Sequence, residues 1–109
     1  MKRFTVPIVL ARSAPAAAEG ATLVINATPV GLRDDTLPIE VHALPRSSAV
    51  LDLAYRINET ALVRDARARG HRAMDGLTML VEQGALAFER WFNVPPNRAV
   101  MWESLNRKR

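Results

Sequence analysis

The chain has 109 residues, 49% of them apolar, and a net charge of +4 from 15 Lys+Arg against 11 Asp+Glu. That is enough for one small domain and too apolar for a disordered body. No apolar run nears the roughly 20 residues that span a bilayer, and the lack of cysteine excludes disulfides, thiolate metal sites and a thiol nucleophile. A cytoplasmic protein without a membrane partner is expected.

The start, Met1-Lys2-Arg3-Phe4 followed by an apolar and then Ala-rich stretch, has the order of a signal peptide. Thr5 and Pro7 interrupt a very short apolar core, which argues against one. Phe4 to Leu10 is β-prone, with Pro7 marking an edge or a non-strand. Ser13 to Gly20 reads as weak helical turns or a loop. Residues 1–20 are therefore poorly assigned, and the recognisable body runs from 21 to 109. Thr22 to Asn26 is a strand whose continuous apolar character suits cover on both faces. Loop signals follow at Asp34, Asp35, Pro38 and Pro45, with a helical turn through Ile39–Leu44 between them. Ala49 to Leu53 is the second strand.

A helix then begins, with Asn58 as N-cap, Glu59 in the first turn, and Ile57 and Leu62 at staple positions. Gly70 fits its C′ position. His71 to Met74 returns as a short strand. Strands alternating with helices at this spacing predict parallel βαβ units. Leu77 to Phe92 is a longer helix, with apolar residues at three- and four-residue spacing. Gly84, Ala85 and Ala87 leave room on it for a close neighbour. Asn97 caps a last helix with Met101, Trp102 and Leu105 on its apolar side. The fold class is α/β: a partial Rossmann-like, doubly wound three-layer domain with a mainly parallel sheet and C-terminal helices.

In such a sheet, ligands sit outside the carboxyl ends of the strands. Those ends carry Asn26, Ala27 and Thr28, then Leu53, Ala54 and Tyr55, then Asp75 and Gly76. The set can hydrogen-bond a polar ligand but is poor in general acids or bases. Each member also has a plain structural reading. Asn26 and Thr28 can satisfy a turn, Gly31 can supply a positive φ, Tyr55 can be an edge aromatic, and Gln83 can be an ordinary exposed residue. Asp75 before Gly76 can be turn chemistry. Asp52 interrupts an apolar strand and needs a partner, an arginine or a backbone donor. His42 and His71 are isolated, which places them on the surface and leaves no metal site. The basic residues are spread out except for Arg64, Arg67 and Arg69 and the tail Arg107-Lys108-Arg109, and the arginines alternate with Asp65, Glu82, Glu89 and Glu103, so a nucleic-acid partner is not expected.

Three blocks in order carry a resemblance: Val24-Ile25-Asn26-Ala27-Thr28-Pro29-Val30-Gly31-Leu32, Leu51-Asp52-Leu53-Ala54-Tyr55, and Asp75-Gly76 through Gln83-Gly84-Ala85. Together they resemble the C-terminal part of shikimate dehydrogenase, from about Ala21 to Leu105. The resemblance implies NADP as cofactor and interconversion of shikimate and 3-dehydroshikimate in the complete enzyme. It places Asn26, Ala27, Thr28, Leu53 and Gly76 beside the nicotinamide, and Tyr55 and Gln83 on the substrate. The family's catalytic lysine and aspartate, its Gly-rich pyrophosphate turn and its 2′-phosphate site have no counterpart here. No catalytic residue is therefore assigned to this chain, and no turnover is expected from it alone. The alternative is a non-catalytic binding or assembly module that complements a separate N-terminal half. In the family's strand order the Thr22–Asn26 strand loses its central neighbour and becomes an exposed edge. The isolated chain would then dimerise through this edge, pair with a separate N-terminal polypeptide, or be only marginally stable.

Overall fold

The computed structural model describes residues 5–106. Its elements are a five-residue helix α1 (Ala14–Ala18), strand β1 (Leu23–Asn26), a 3₁₀ turn (Val41–Ala43), strand β2 (Ala49–Asp52), helix α2 (Ala61–Ala68), strand β3 (Ala73–Met74), and helices α3 (Leu77–Phe92) and α4 (Arg98–Asn106). The strands form one parallel sheet in the order β1-β2-β3, with Leu23 opposite Ala49, Asn26 opposite Asp52, and Leu51 opposite Met74. The expected α/β architecture is thus present, with β1 at an edge.

One face of the sheet is covered. Val50 packs there with Leu62 and Ala66 of α2, with Ile39, Val41 and Leu44 from the loop before β2, and with Ala18 of α1. Burying a side chain such as Leu62 contributes about 1.5–3 kcal/mol. Ala18 lies before position 20, so this core draws on residues from both sides of that point.

The opposite face is more open, with only Ala49 and Leu51 of β2 partly buried on it. Leu23 and Ile25 of β1 and Met74 of β3 are each about half exposed. The apolar run of β1 is therefore covered on one face only, contrary to the expectation of cover on both. The openness extends to α3. Leu77, Val81 and Ala85 are buried, but Phe88, Trp91 and Phe92 of the same apolar stripe are exposed, with Phe88 and Phe92 touching each other at 4.8 Å between ring centroids. A folded monomer of 12.1 kDa would expose about 6,000 Å²; this chain exposes 8520 Å². Its radius of gyration, 16.4 Å, likewise exceeds the ~13 Å of a compact domain of this length.

Local structure corrects several expectations. Residues 5–10 form no strand: the chain there is irregular and exposed, and Phe4 lies outside the described residues, as do Met1 to Arg3 and the basic tail Arg107-Lys108-Arg109. The cap of α2 is Thr60, not Asn58, because the Thr60 hydroxyl accepts from the Val63 N–H and is itself tied to β2. With Thr60 as cap, Ile57 and Leu62 are not staple positions. Gly70 takes the C′ place with φ +89°, a conformation open to glycine. The narrow side of α3 at Gly84 receives the Met101 side chain of α4 rather than a backbone. Asn97 caps α4 through its side chain, as expected.

Candidate functional site

All three strands end in the same local device. An Asn or Asp side chain turns back and accepts from the N–H two residues ahead, which closes a tight turn. Asn26 Oδ1 accepts from Thr28 N at 3.1 Å, Asp52 Oδ1 from Ala54 N at 3.1 Å, and Asp75 Oδ1 from Leu77 N at 3.0 Å. In register, these turns bring residues 26–28, 52–55 and 75–77 to one end of the sheet.

Beneath them lies a buried polar network. Asp52 is wholly enclosed. It accepts from Asn26 Nδ2 (3.0 Å), Ala54 N (3.1 Å) and the Thr60 hydroxyl (2.8 Å). The expected backbone donor is there; the alternative of an arginine is not, its place being taken by an amide and a hydroxyl. Burying a carboxylate is tolerable when several donors hold it. Asn26 is itself fully used. Its amide donates to Asp52 and to Val30 O, while its Oδ1 takes both the N–H and the hydroxyl of Thr28. Thr60 joins the network to the start of α2, so the strand ends and the helix are positioned together.

Gly76 fixes the third wall. Its N–H donates to Ala54 O at 3.1 Å. A Cβ there would collide with the carbonyl group of Leu53, its carbon lying at 2.9 Å. Only glycine lets the start of α3 sit this close to the end of β2. Gly31, buried with φ +92°, supplies the positive φ that turns the loop after β1.

Above the network is an open cleft of about 360 Å³, lined by Ala27, Thr28, Pro29, Leu32, Leu53, Ala54 and Tyr55. Leu32 and Tyr55 also border a wider cleft of about 680 Å³ with Asp35, Arg56, Asn58, Glu59, Arg64, Leu77 and Leu105. The half-exposed Tyr55 phenol stands between the two. Of the residues singled out from sequence, Ala27, Thr28, Leu53 and Tyr55 share one cleft. Asn26 lies below it as a support, and Gly76 lies behind Leu53. Gln83 lines neither cleft: it is exposed on α3. It lies two helical turns beyond Gly76 on the same side, roughly 10 Å along the axis. Among the described residues no metal-binding cluster exists, and no helix is long and apolar enough to cross a membrane. His42 is exposed as expected, but His71 is buried, its Nδ1 2.9 Å from Ser48 O. Sequence reasoning missed Thr60, whose only signal was a hydroxyl residue just before an apolar helical stripe.

Known proteins resemble this chain in sequence and fold. Residues 76–105 match the family model of the shikimate 5′-dehydrogenase C-terminal domain. An NADP(+) shikimate dehydrogenase from Methanocella arvoryzae is 47% identical over 83 residues, 75% of this chain and 31% of that protein. The crystal structure of shikimate 5-dehydrogenase from Thermus thermophilus in complex with NADP(H) and shikimate superposes with a TM-score of 0.76 at 40% identity. It covers 84% of this chain, which covers 36% of it. Quinate dehydrogenase from Corynebacterium glutamicum in complex with NAD gives a TM-score of 0.77 at 31% identity, with coverages of 84% and 33%. The chain spans about a third of the length of the curated relatives it matches. In sequence and in fold, the chain matches the C-terminal part of shikimate dehydrogenase.

Proposed function

We propose that this chain forms the nicotinamide- and substrate-facing wall of an NADP-dependent shikimate dehydrogenase and docks through its open sheet face and β1 edge onto the part carrying the catalytic groups. The observation that supports this best is the convergence of Ala27, Thr28, Leu53 and Tyr55 on one cleft with Gly76 packed behind Leu53. The cleft is shallow and mainly apolar, which suits the face of a nicotinamide ring. The Gly76–Leu53 approach holds that wall flat. Bound NADP supplies the hydride acceptor or donor.

The chain's own residues bind and orient. Ala27, Thr28, Leu53 and Gly76 shape the nicotinamide wall, and Asn26 acts through the turn it braces. Tyr55, whose phenol both donates and accepts, and Gln83, whose amide does the same, hold a hydroxylated, carboxylated ring. In the unaccompanied chain Gln83 stands outside the cleft lining; the docked partner closes the space between Gln83 and Tyr55. About 2,500 Å² of exposed surface beyond that of a compact monomer is comparable to a large protein interface.

The test is reconstitution. The 109-residue chain alone should show no NADP-dependent oxidation of shikimate. Mixed with the N-terminal two thirds of a relative, or joined to it, it should show activity. In the active assembly, Tyr55→Phe and Gln83→Ala should raise KM for shikimate about 10–100-fold, the loss of one or two substrate hydrogen bonds. Turnover by the isolated chain, or variants with unchanged KM, would defeat the reading. A separately encoded partner is the second reading, favoured by the same unpaired β1 edge; restored activity on mixing without covalent linkage supports it.

A further inference from the structure

At the opposite end of the sheet from the cleft, four basic side chains line one recess that has no acid in its wall. His42 of the 3₁₀ turn, Arg46 of the turn before β2, Arg69 at the end of α2 and His71 before β3 enclose about 320 Å³, with Leu44 as the apolar side. The recess is held by rigid turns. Ser48 donates to Pro45 O from both its N–H (3.0 Å) and its hydroxyl (2.7 Å), which fixes the loop bearing Arg46. The last carbonyls of α2 are engaged by the N–H groups of Arg69, Gly70 and His71, which blunts the negative helix end beside Arg69.

His71 is the organised member. It is only 7% exposed, and its Nδ1 meets Ser48 O at 2.9 Å. A carbonyl only accepts, so Nδ1 carries a hydrogen, and in the neutral ring Nε2 then keeps a lone pair. Among the described residues, that Nε2 has no hydrogen-bond partner, and neither guanidinium has a carboxylate. By contrast, Arg56, Arg64, Arg67 and Arg98 each hold one.

We propose that this recess binds inorganic hydrogenphosphate, its charge met by Arg46 and Arg69 and its own hydrogen donated to His71 Nε2. Guanidinium forks match phosphate oxygens in geometry. The bare Nε2 selects an anion that still has a hydrogen to give, which hydrogenphosphate has at neutral pH. Sulfate has none, and a phosphate ester above its second pKa of about 6 has lost its own. The recess lies where the strands begin, so it is separate from the cleft where they end.

The experiment titrates the 109-residue chain at neutral pH and fixed ionic strength with inorganic phosphate, sulfate and glycerol 3-phosphate. The imidazole nitrogen resonances of His71 are followed throughout. Phosphate should give a saturable shift centred on Nε2, with sulfate and the ester binding several-fold more weakly. The double variant Arg46→Gln, Arg69→Gln should weaken phosphate about tenfold, as expected for loss of charge-assisted contacts. Both side chains are at the surface, and amide resonances around Asp52 report that the fold is intact. Equal responses to phosphate, sulfate and glycerol 3-phosphate, no shift at Nε2, or unchanged affinity in the double variant would each overturn the proposal.

Discussion

β1 and β2 are near twins in sequence and register, and their fates differ. Each has four residues, each is mainly apolar, and each ends in an Asx residue that closes a turn. β2 lies between two neighbours with Val50 and Asp52 buried, whereas β1 has one neighbour and exposes Leu23 and Ile25. An apolar strand records the cover it can accept, not the cover present. β2 is the better-buried strand, and β1 is the edge through which the proposed docking would run.

The largest effect should come from the end of β2. Asp52→Ala removes the acceptor of three donors, Asn26 Nδ2, Ala54 N and the Thr60 hydroxyl. At ~1–3 kcal/mol for each unsatisfied buried donor, a loss of about 3–5 kcal/mol is expected. Asp52→Asn keeps one acceptor oxygen and should lose about half as much. Urea unfolding measures both. If Asp52→Ala unfolds no more readily than a substitution at Leu23, the contrast between the strands is false.

Next comes the glycine that abuts β2. Gly76→Ala must push the start of α3 away from the Leu53 carbonyl. Overpacking of this kind costs about 1–3 kcal/mol. In the reconstituted assembly the same change should raise KM for NADP more than KM for shikimate, since Gly76 backs the proposed nicotinamide wall. An equal rise in both constants would mean that the glycine serves only the fold.

β1 should behave in the opposite way. Leu23→Lys with Ile25→Lys alters side chains that are about half exposed, so unfolding free energy should change by no more than about 0.5 kcal/mol. Association should change much more. Charges on an unpaired edge oppose strand addition, so docking of an N-terminal part should be lost. Sedimentation velocity separates the cases; docking that survives both lysines places the interface elsewhere.

The same contrast explains what the sequence disclosed. Apolar runs and helical spacing revealed the three strands and the long helix, because those patterns are set by the residues themselves. The Asn-Ala-Thr and Asp-Gly turns marked the site end, because Asx side chains close turns locally. Asp52 looked anomalous in sequence, and its partners were not legible: they come from Asn26, 26 positions away, and from Thr60, on another element. His71 misled for the same reason, since its cover comes from the Ser48 loop. Residues 5–10 read as a strand from propensity, but a strand needs a neighbour, and none is supplied among the described residues. Gln83 stood out only through the family likeness. It is exposed on α3 and lines neither cleft.

The loops after the two strands give the smallest effect and the finest test. Asp34, in the loop after β1, makes the same local bond as Asp52: its Oδ1 accepts from the N–H of Thr36, two residues ahead, at 2.9 Å. Unlike Asp52, Asp34 is in water. Hydrogen bonds from the Thr36 side chain, and then from its N–H, hold the Asp34 carboxyl below its ordinary 3.8. A carboxyl depressed in the folded state stabilises above its unfolded value, and that contribution is lost as pH falls through the lower folded value. Acidification below 3.8 should therefore release the Thr36 turn. The amide resonance of Thr36, followed through an acid titration, should shift as its bond to Asp34 is lost. Asp34→Asn should remove the Thr36 transition and leave global unfolding unchanged. If Asp34→Asn also lowered the global unfolding free energy, the two loops would form one cooperative unit, and the independence of the β1 side would be lost.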